Sequence, residues 1–297
     1  MRLTVIVSFR DEARFLPGLL ASVGRQTRLP DRLILVDDGS IDGSGELAAT
    51  FAAHHDYALA LSRPRRPRGQ DRLSDAAELL AFEWAAAQLD HDFDVLAKLD
   101  ADLELNPLHI ERILEELRTD PTLGLAGACL SDVTGDGFSA RRPAPRWHVR
   151  GATKFYRREC YEQIQPIPAH LGWDMIDEVK ARKAGWRTES FDLPGGDTLH
   201  LRPTGEHDGR LRAYRRWGEC AWGYGAHPAF ALLGAIKRLG WRPYVAGGLL
   251  YAIGYCGAAL RQVPRAEREV RAYVRREEAR QVLATLRPRP GLAAIRR

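Results

Sequence analysis

Three short apolar runs that each end in charged or hydroxyl residues constrain this fold most. Leu3–Ser8 runs into Arg10-Asp11-Glu12, and Arg32–Val36 runs into Asp37-Asp38-Gly39-Ser40. Phe93–Leu99 runs into Asp100-Ala101-Asp102. Their aliphatic interiors have the composition of strands covered on both faces. Helical spacing fills the intervals. Phe15, Leu16, Leu19, Leu20 and Val23 mark a helix over Arg14–Arg25 with Asp11 as its cap, Gly45–Ala53 a second, and Leu73–Gln88 a third. With a further strand at Tyr57–Leu61, the order is the strand–helix alternation of a parallel sheet. Ligands of open α/β sheets bind at the carboxyl ends of the strands, where all three polar clusters fall.

Asp100 and Asp102 are the sharpest of these. Residues i and i+2 of an extended segment share a face, so the two carboxylates stand side by side. Such a pair repels unless protonated or neutralised, and a divalent cation with hard oxygen preference serves that purpose. The competing reading is a solvated turn, where aspartate is common.

The second half continues with a helix at His109–Arg118, a strand at Leu123–Cys129, a polar loop at 131–146 and a strand at Val149–Tyr156. Arg157–Ile164 reads as a short helix. Within Leu171–Arg187, Met175, Ile176, Val179, Arg182 and Lys183 fit one amphipathic helix, with Asp174 at its start and Gly185 at its C-terminal cap. The last third is rich in aromatic residues and arginine. Tyr244–Leu260 is uncharged, slightly short for a membrane span, and flanked by Arg238, Arg242 and Arg261. That pattern fits contact with an anionic membrane surface; a buried hairpin or an oligomer contact are its alternatives. Arg265–Leu286 reads as a charged, solvated helix.

Several classes are excluded. The four cysteines are scattered, which argues against a zinc site or disulfide framework and for a reducing compartment. Strand character begins at Leu3, with no signal-peptide pattern, so a cytoplasmic location is expected, peripheral on the cytoplasmic face of the membrane if the C-terminal segment binds lipid. No Gly-x-Gly-x-x-Gly follows the first strand, which disfavours a dinucleotide dehydrogenase. The net charge of +5 is concentrated in Arg63–Arg68 and beyond Arg202, yet no nucleic-acid-binding motif accompanies it, so no nucleic-acid partner is expected.

The set Val5–Glu12, Leu35–Ser44 and Leu99–Asp102 resembles the family-2 inverting glycosyltransferases of GT-A fold, over roughly the first 200 residues. The resemblance implies an α/β fold with a mainly parallel central sheet flanked by helices, followed by a C-terminal helical extension. It implies a glycosyltransferase domain over 1–205, with a nucleotide-sugar half (1–105) and an acceptor half (106–205), and an extension over 206–297. Ser8, Arg10, Asp38, Arg72 and Asp100 are expected at the nucleotide-sugar, Asp38 reading the base. Asp102 and Asp100, with His200 or alternatively His207, are expected on Mn²⁺ or Mg²⁺. Arg202 would meet a diphosphate oxygen. The family's usual Glu-Asp is Trp173-Asp174 here, with Gly185-Trp186 eleven residues on. Asp174 is the expected base, Asp177 the runner-up one helical turn later, and Trp173 an acceptor contact. The implied reaction is metal-dependent transfer from a UDP- or GDP-type sugar donor to a glycan or lipid-linked acceptor in polysaccharide synthesis. A non-catalytic protein of the same fold and a nucleotidyltransferase are the rival readings.

Overall fold

The computed structural model describes residues 1–65, 75–89, 92–133, 139–141, 144–202, 209–241 and 243–286. The chain divides into two compact units, Met1–Arg210 and Leu211–Arg297.

The first unit is built on a seven-stranded sheet. Its strands are β1 (Leu3–Phe9), β2 (Arg32–Asp37), β3 (Ala58–Ser62), β4 (Val95–Leu99), β6 (Leu123–Ala128), β9 (Thr153–Arg157) and β10 (Arg187–Phe191), in the spatial order β10-β6-β9-β4-β1-β2-β3. All run parallel except β9, which is antiparallel to both β4 and β6. Helices α1 (Leu16–Gly24), α2 (Ser44–Ala53), α3 (Ala77–Ala86), α4 (His109–Thr119), α5 (Arg158–Gln163) and α6 (Trp173–Lys183) flank it. Two apolar clusters form the core, one joining β1 and β4 to α1 and α4, the other joining β2 and β4 to α3 and α6. The α/β fold with its mainly parallel sheet is therefore as the sequence implied.

A second, four-stranded sheet was not legible from periodicity. It orders β5 (Leu103–Glu104), β11 (Thr198–His200), β7 (Leu130–Val133) and β8 (Ser139–Arg141). The apolar run expected as one strand to Cys129 breaks there, and β7 and β8 occupy part of the segment expected as loop. Strands of two to four residues are too short to show alternation. The strand expected from Val149 begins instead at Thr153, and residues 149–152 form a loop at the sheet end where the acids lie.

Asp11 does not cap α1. It adopts a left-handed backbone (φ 55°) and its Oδ1 accepts from the Ile41 N–H at 2.8 Å. The acidic turn after β2 thus braces the loop after β1. Ser40 Oγ accepts from the Asp11 N–H, Ser44 Oγ from the Glu12 N–H, and Asp42 Oδ2 from the Ala13 N–H. Gly39 (φ +79°) is required in that turn, because a Cβ would stand 2.4 Å from the Arg65 backbone. At the other end of α6, Gly185 closes a Schellman motif: its N–H reaches the Arg182 carbonyl and that of Trp186 the Ala181 carbonyl.

The second unit comprises α7 (Arg210–Tyr224), α8 (Pro228–Leu239), α9 (Ala246–Leu260) and α10 (Arg268–Leu286). Among the described residues, no helix is long and apolar enough to cross a membrane.

Candidate active site

The pairing register places the carboxyl ends of three adjacent strands together. Val7 of β1 lies beside Leu99 of β4, and Phe9 beside Asp37 of β2. Ser8 and Arg10, Asp38, and Asp100 with Asp102 therefore share one end of the sheet. Because β9 runs in reverse, its start at Thr153 adjoins Leu99, which brings Arg150 and Gly151 to the same end.

Asp100, Asp102 and His200 offer ligand atoms that all lie within 4.8 Å of one another. His200 arrives because β11 pairs with β5, setting His200 opposite Leu103, the residue after Asp102. Its Nε2 lies 3.4 Å from Asp102 Oδ1, and its Nδ1 lies 3.0 Å from Asp132 Oδ1. Burial alone would lower this imidazole, but the hydrogen bonds and charges of Asp102 and Asp132, with Asp100 beyond, raise it to about 9. Arg150 Nη2 donates to the same Asp132 oxygen at 2.6 Å. A histidine held from behind by a carboxylate, with its far nitrogen turned to two acids, has the arrangement common to metal-bound imidazoles. Two hard carboxylates and one imidazole fit Mn²⁺ or Mg²⁺ and leave positions for phosphate oxygens.

Cations surround the acid pair. Arg202 Nε donates to Asp102 Oδ2 at 3.1 Å, and its Nη2 donates to Glu12 Oε1 at 2.6 Å. Lys98, buried in β4 and pointing to the same face as Asp100, bonds Asp100, Glu78 and the Gly151 carbonyl. Burial would lower the ammonium, but the two carboxylates outweigh it and hold Lys98 protonated, while Lys98 holds Asp100 well below the usual carboxylate range. Glu78 goes the other way, pushed up by burial and by the charge of Asp100. It lies in the first turn of α3, whose preceding residue Ala76 takes a left-handed backbone (φ 47°) although it is not glycine. Strain of this kind collects at functional sites.

The residues expected at the nucleotide fall as follows. Ser8 is buried, with Oγ 3.4 Å from the Glu78 carbonyl. Asp38 is 1% exposed and accepts from Arg63 Nη1 at 3.2 Å, while Arg63 packs over the Trp84 ring. Arg10 is half-buried, 3.8 Å from Asp11. Arg72 and His207 lie outside the described residues.

The two base candidates sit in different surroundings. Asp174, in the first turn of α6, is half-buried, and its Oδ2 lies so close to Gly151 that a Cβ there would stand 3.1 Å away. Asp177 is fully buried. Its carboxylate accepts from Lys154 Nζ at 2.6 and 2.7 Å, from Tyr156 at 2.6 Å and from the Glu178 N–H. Burial raises Asp177 against the opposing pull of Lys154, to about 6. Trp173 is buried, its ring 5.5 Å from Lys98 Nζ and 5.6 Å from Lys154 Nζ. Those contacts leave little of the ring face for the acceptor expected of it.

Sequence reasoning missed Lys98, Glu78, Asp132, Arg150 and Lys154. A lysine inside an otherwise apolar strand, two residues before an aspartate, was the available signal for the first.

Residues 4–172 match the family model described as glycosyl transferase family 2. The chain belongs to that family. A relative with a described role, an undecaprenyl-phosphate mannosyltransferase of Micrococcus luteus, is 33% identical over 119 residues, 40% of this chain. The match spans 45% of that relative, less than half its length. Among solved structures, the mannosyltransferase PcManGT from Pyrobaculum calidifontis, in complex with GDP-Man and Mn²⁺, superposes with a TM-score of 0.56 at 19% identity. That match covers 97% of this chain and 81% of PcManGT. TarS of S. aureus in complex with UDP-GlcNAc gives 0.53 at 14% identity, over 92% of this chain and 78% of TarS. At these identities the likeness is one of fold, and it is the GT-A architecture that the family implies.

Proposed function

We propose that the chain is an inverting, metal-dependent glycosyltransferase. It moves a sugar from a UDP- or GDP-type donor to a hydroxyl of a glycan or lipid-linked acceptor, in cell-surface polysaccharide synthesis. The observation that carries this reading is the convergence of Asp100, Asp102 and His200 at the strand ends, with Arg202 against them. Mannosyl transfer to a lipid phosphate is the activity named for the Micrococcus relative, and GDP-Man with Mn²⁺ is bound by PcManGT. The second favours a nucleotide-sugar donor.

Asp100, Asp102 and His200 would hold Mn²⁺ or Mg²⁺, which when bound balances charge gathering on the departing nucleoside diphosphate. Arg202 adds a fixed positive charge on the same side. Ser8, Arg10 and Asp38 line the strand ends where the nucleoside would lie. The acceptor hydroxyl attacks the anomeric carbon from the face opposite the diphosphate, so configuration inverts. Asp174 takes the hydroxyl proton as that bond forms. Asp174 is preferred to Asp177 because the latter's two oxygens already serve Lys154, Tyr156 and a backbone N–H.

The test is a thermal-shift panel of nucleoside diphosphates and nucleotide-sugars with and without Mn²⁺, followed by transfer assays. A ligand that binds only the folded chain raises its melting temperature. The donor should do so only with metal, and Asp102→Ala should abolish the effect. Asp174→Asn should keep donor binding and lose turnover. Full transfer by Asp102→Ala without metal overturns the metal assignment, and wild-type turnover by Asp174→Asn moves the base elsewhere.

A further inference from the structure

The hairpin of α8 and α9 is built inside out for a helix pair in water. Apart from the two aromatic residues Tyr251 and Tyr255 on α9, its buried side is made of small residues: Ala231 and Ala235 on α8, and Gly247, Gly248, Gly254 and Ala258 on α9. The backbones meet so closely that a Cβ on Gly248 would stand 2.5 Å from the Ala235 carbonyl oxygen. The large aliphatic side chains point away. Leu232, Leu233 and Ile236 on α8, and Leu249, Ile253 and Leu260 on α9, are each more than half exposed. Residues 249, 253 and 260 share one helical stripe, as 232, 233 and 236 do. Trp241 and Tyr244 stand exposed at the turn between the helices. An ordinary soluble helix buries its leucines and exposes its polar residues. Small residues between helices and large aliphatics outward is the arrangement of helices solvated by lipid.

Charge selects among occupants of such a face. Residues 211–297 hold seventeen arginines and lysines against five acids, whereas residues 1–210 hold twenty-seven against thirty-four. Within the hairpin, Lys237 and Arg261 are exposed beside the apolar stripe, and Lys237 sits over the Trp241 ring. A second copy docking through this face would bring two strongly basic units together. An anionic lipid surface is attracted instead, and exposed tryptophan and tyrosine beside basic residues suit the headgroup level. Length sets the depth. At 1.5 Å per residue, the 12 residues of α8 and 15 of α9 extend about 18 and about 22 Å, short of the roughly 30 Å hydrocarbon core.

We propose that the α8–α9 hairpin seats this chain in one leaflet of an anionic bilayer, with Leu232, Leu233, Ile236, Leu249, Ile253 and Leu260 in the acyl region. This does not rest on the transfer reaction proposed above.

The test is sedimentation of the full chain with vesicles of phosphatidylcholine alone or mixed with phosphatidylglycerol, at low and high salt. Binding to the mixed vesicles should exceed binding to the neutral ones and weaken with salt. The double variant L249E/I253E should lower binding to mixed vesicles by about tenfold or more. Its circular dichroism and nucleotide-sugar binding should match the wild type, which separates lost docking from lost folding or a lost active site. As a second measurement on the unaltered face, brominated lipid should quench tryptophan emission in the wild type more than in Trp241→Phe. Undiminished vesicle binding by L249E/I253E overturns the proposal. So does equal binding to neutral and anionic vesicles. Failure to bind either, with a dimer in solution that L249E/I253E disperses, assigns the face to a second copy instead.

Discussion

His109 makes the first unit acid-labile, by an amount the structure allows to be worked out. The residue opens α4 and is wholly buried. Its Nδ1 lies 2.6 Å from Thr198 Oγ1 and its Nε2 lies 2.9 Å from Thr153 Oγ1, so it ties β11, which carries His200, to β9. Hydroxyls satisfy a neutral ring in either tautomer. Burial then holds the imidazole down at about 3, against 6.5 when exposed. The folded pKa is thus depressed. Below 6.5 the unfolded chain takes up a proton that the folded chain refuses, so stability is full above 6.5 and falls as the pH drops toward 3. Each pH unit in that window costs about 1.4 kcal/mol, or about 2 kcal/mol by pH 5. The assay is urea unfolding of the wild type and His109→Gln at pH 7.5 and pH 5. The variant starts less stable, because a buried hydrogen-bonded ring is replaced, but it should lose about 2 kcal/mol less than the wild type between the two conditions. Carboxylates titrate alike in both chains and cancel in that difference. Parallel losses would refute the neutral, buried histidine.

The Lys154–Asp177 pair predicts a second asymmetry. Lys154→Met leaves a buried carboxylate unpaired and should cost about 3–5 kcal/mol, while adding Asp177→Asn should restore part of that, read by denaturant midpoints. Gly39→Ala forces both a left-handed backbone and an overlap with Arg65, so it should destabilise the chain and weaken donor binding together, measured by melting and by calorimetric titration. Asp132→Asn should lower Mn²⁺ affinity by about tenfold or more, because Asp132 holds the His200 nitrogen that faces away from the acid pair, and it should also lower the melting temperature without metal, because it removes the buried charge partner of Arg150.

The strand ends were legible because each lies within a few residues of its own signal. An apolar run announces the strand, and the acids at its end announce the site. Asp100 and Asp102 needed only a two-residue period, and the turn after β2 needed only its local spacing. Lys98, which neutralises Asp100, is local to it, but most of what surrounds the acids was not legible, since it comes from far along the chain. Glu78, the second partner of Lys98, stands on another element, Arg202 lies one hundred residues past Asp102, and Arg150 reaches Asp132 from the loop before β9. No local pattern encodes such pairings; the reversed strand β9 and the four-stranded sheet create them. Short strands β5, β7, β8 and β11 carry no period of their own, yet β11 is what delivers His200.

The same logic bears on the two base candidates, of which the family resemblance puts Asp174 first and Asp177 as runner-up. Asp174 and Asp177 are one helical turn apart and equally acidic on paper. In the fold, Asp177 turns inward onto β9, where Lys154 and Tyr156, residues i and i+2 of that strand, meet it on one face. A carboxylate so engaged would have to shed its ion pair before taking a proton from a hydroxyl. Asp174 lies against Gly151, whose carbonyl accepts from the lysine that holds Asp100. One aspartate therefore belongs to the packing of α6, and the other borders the strand ends where donor and acceptor would meet.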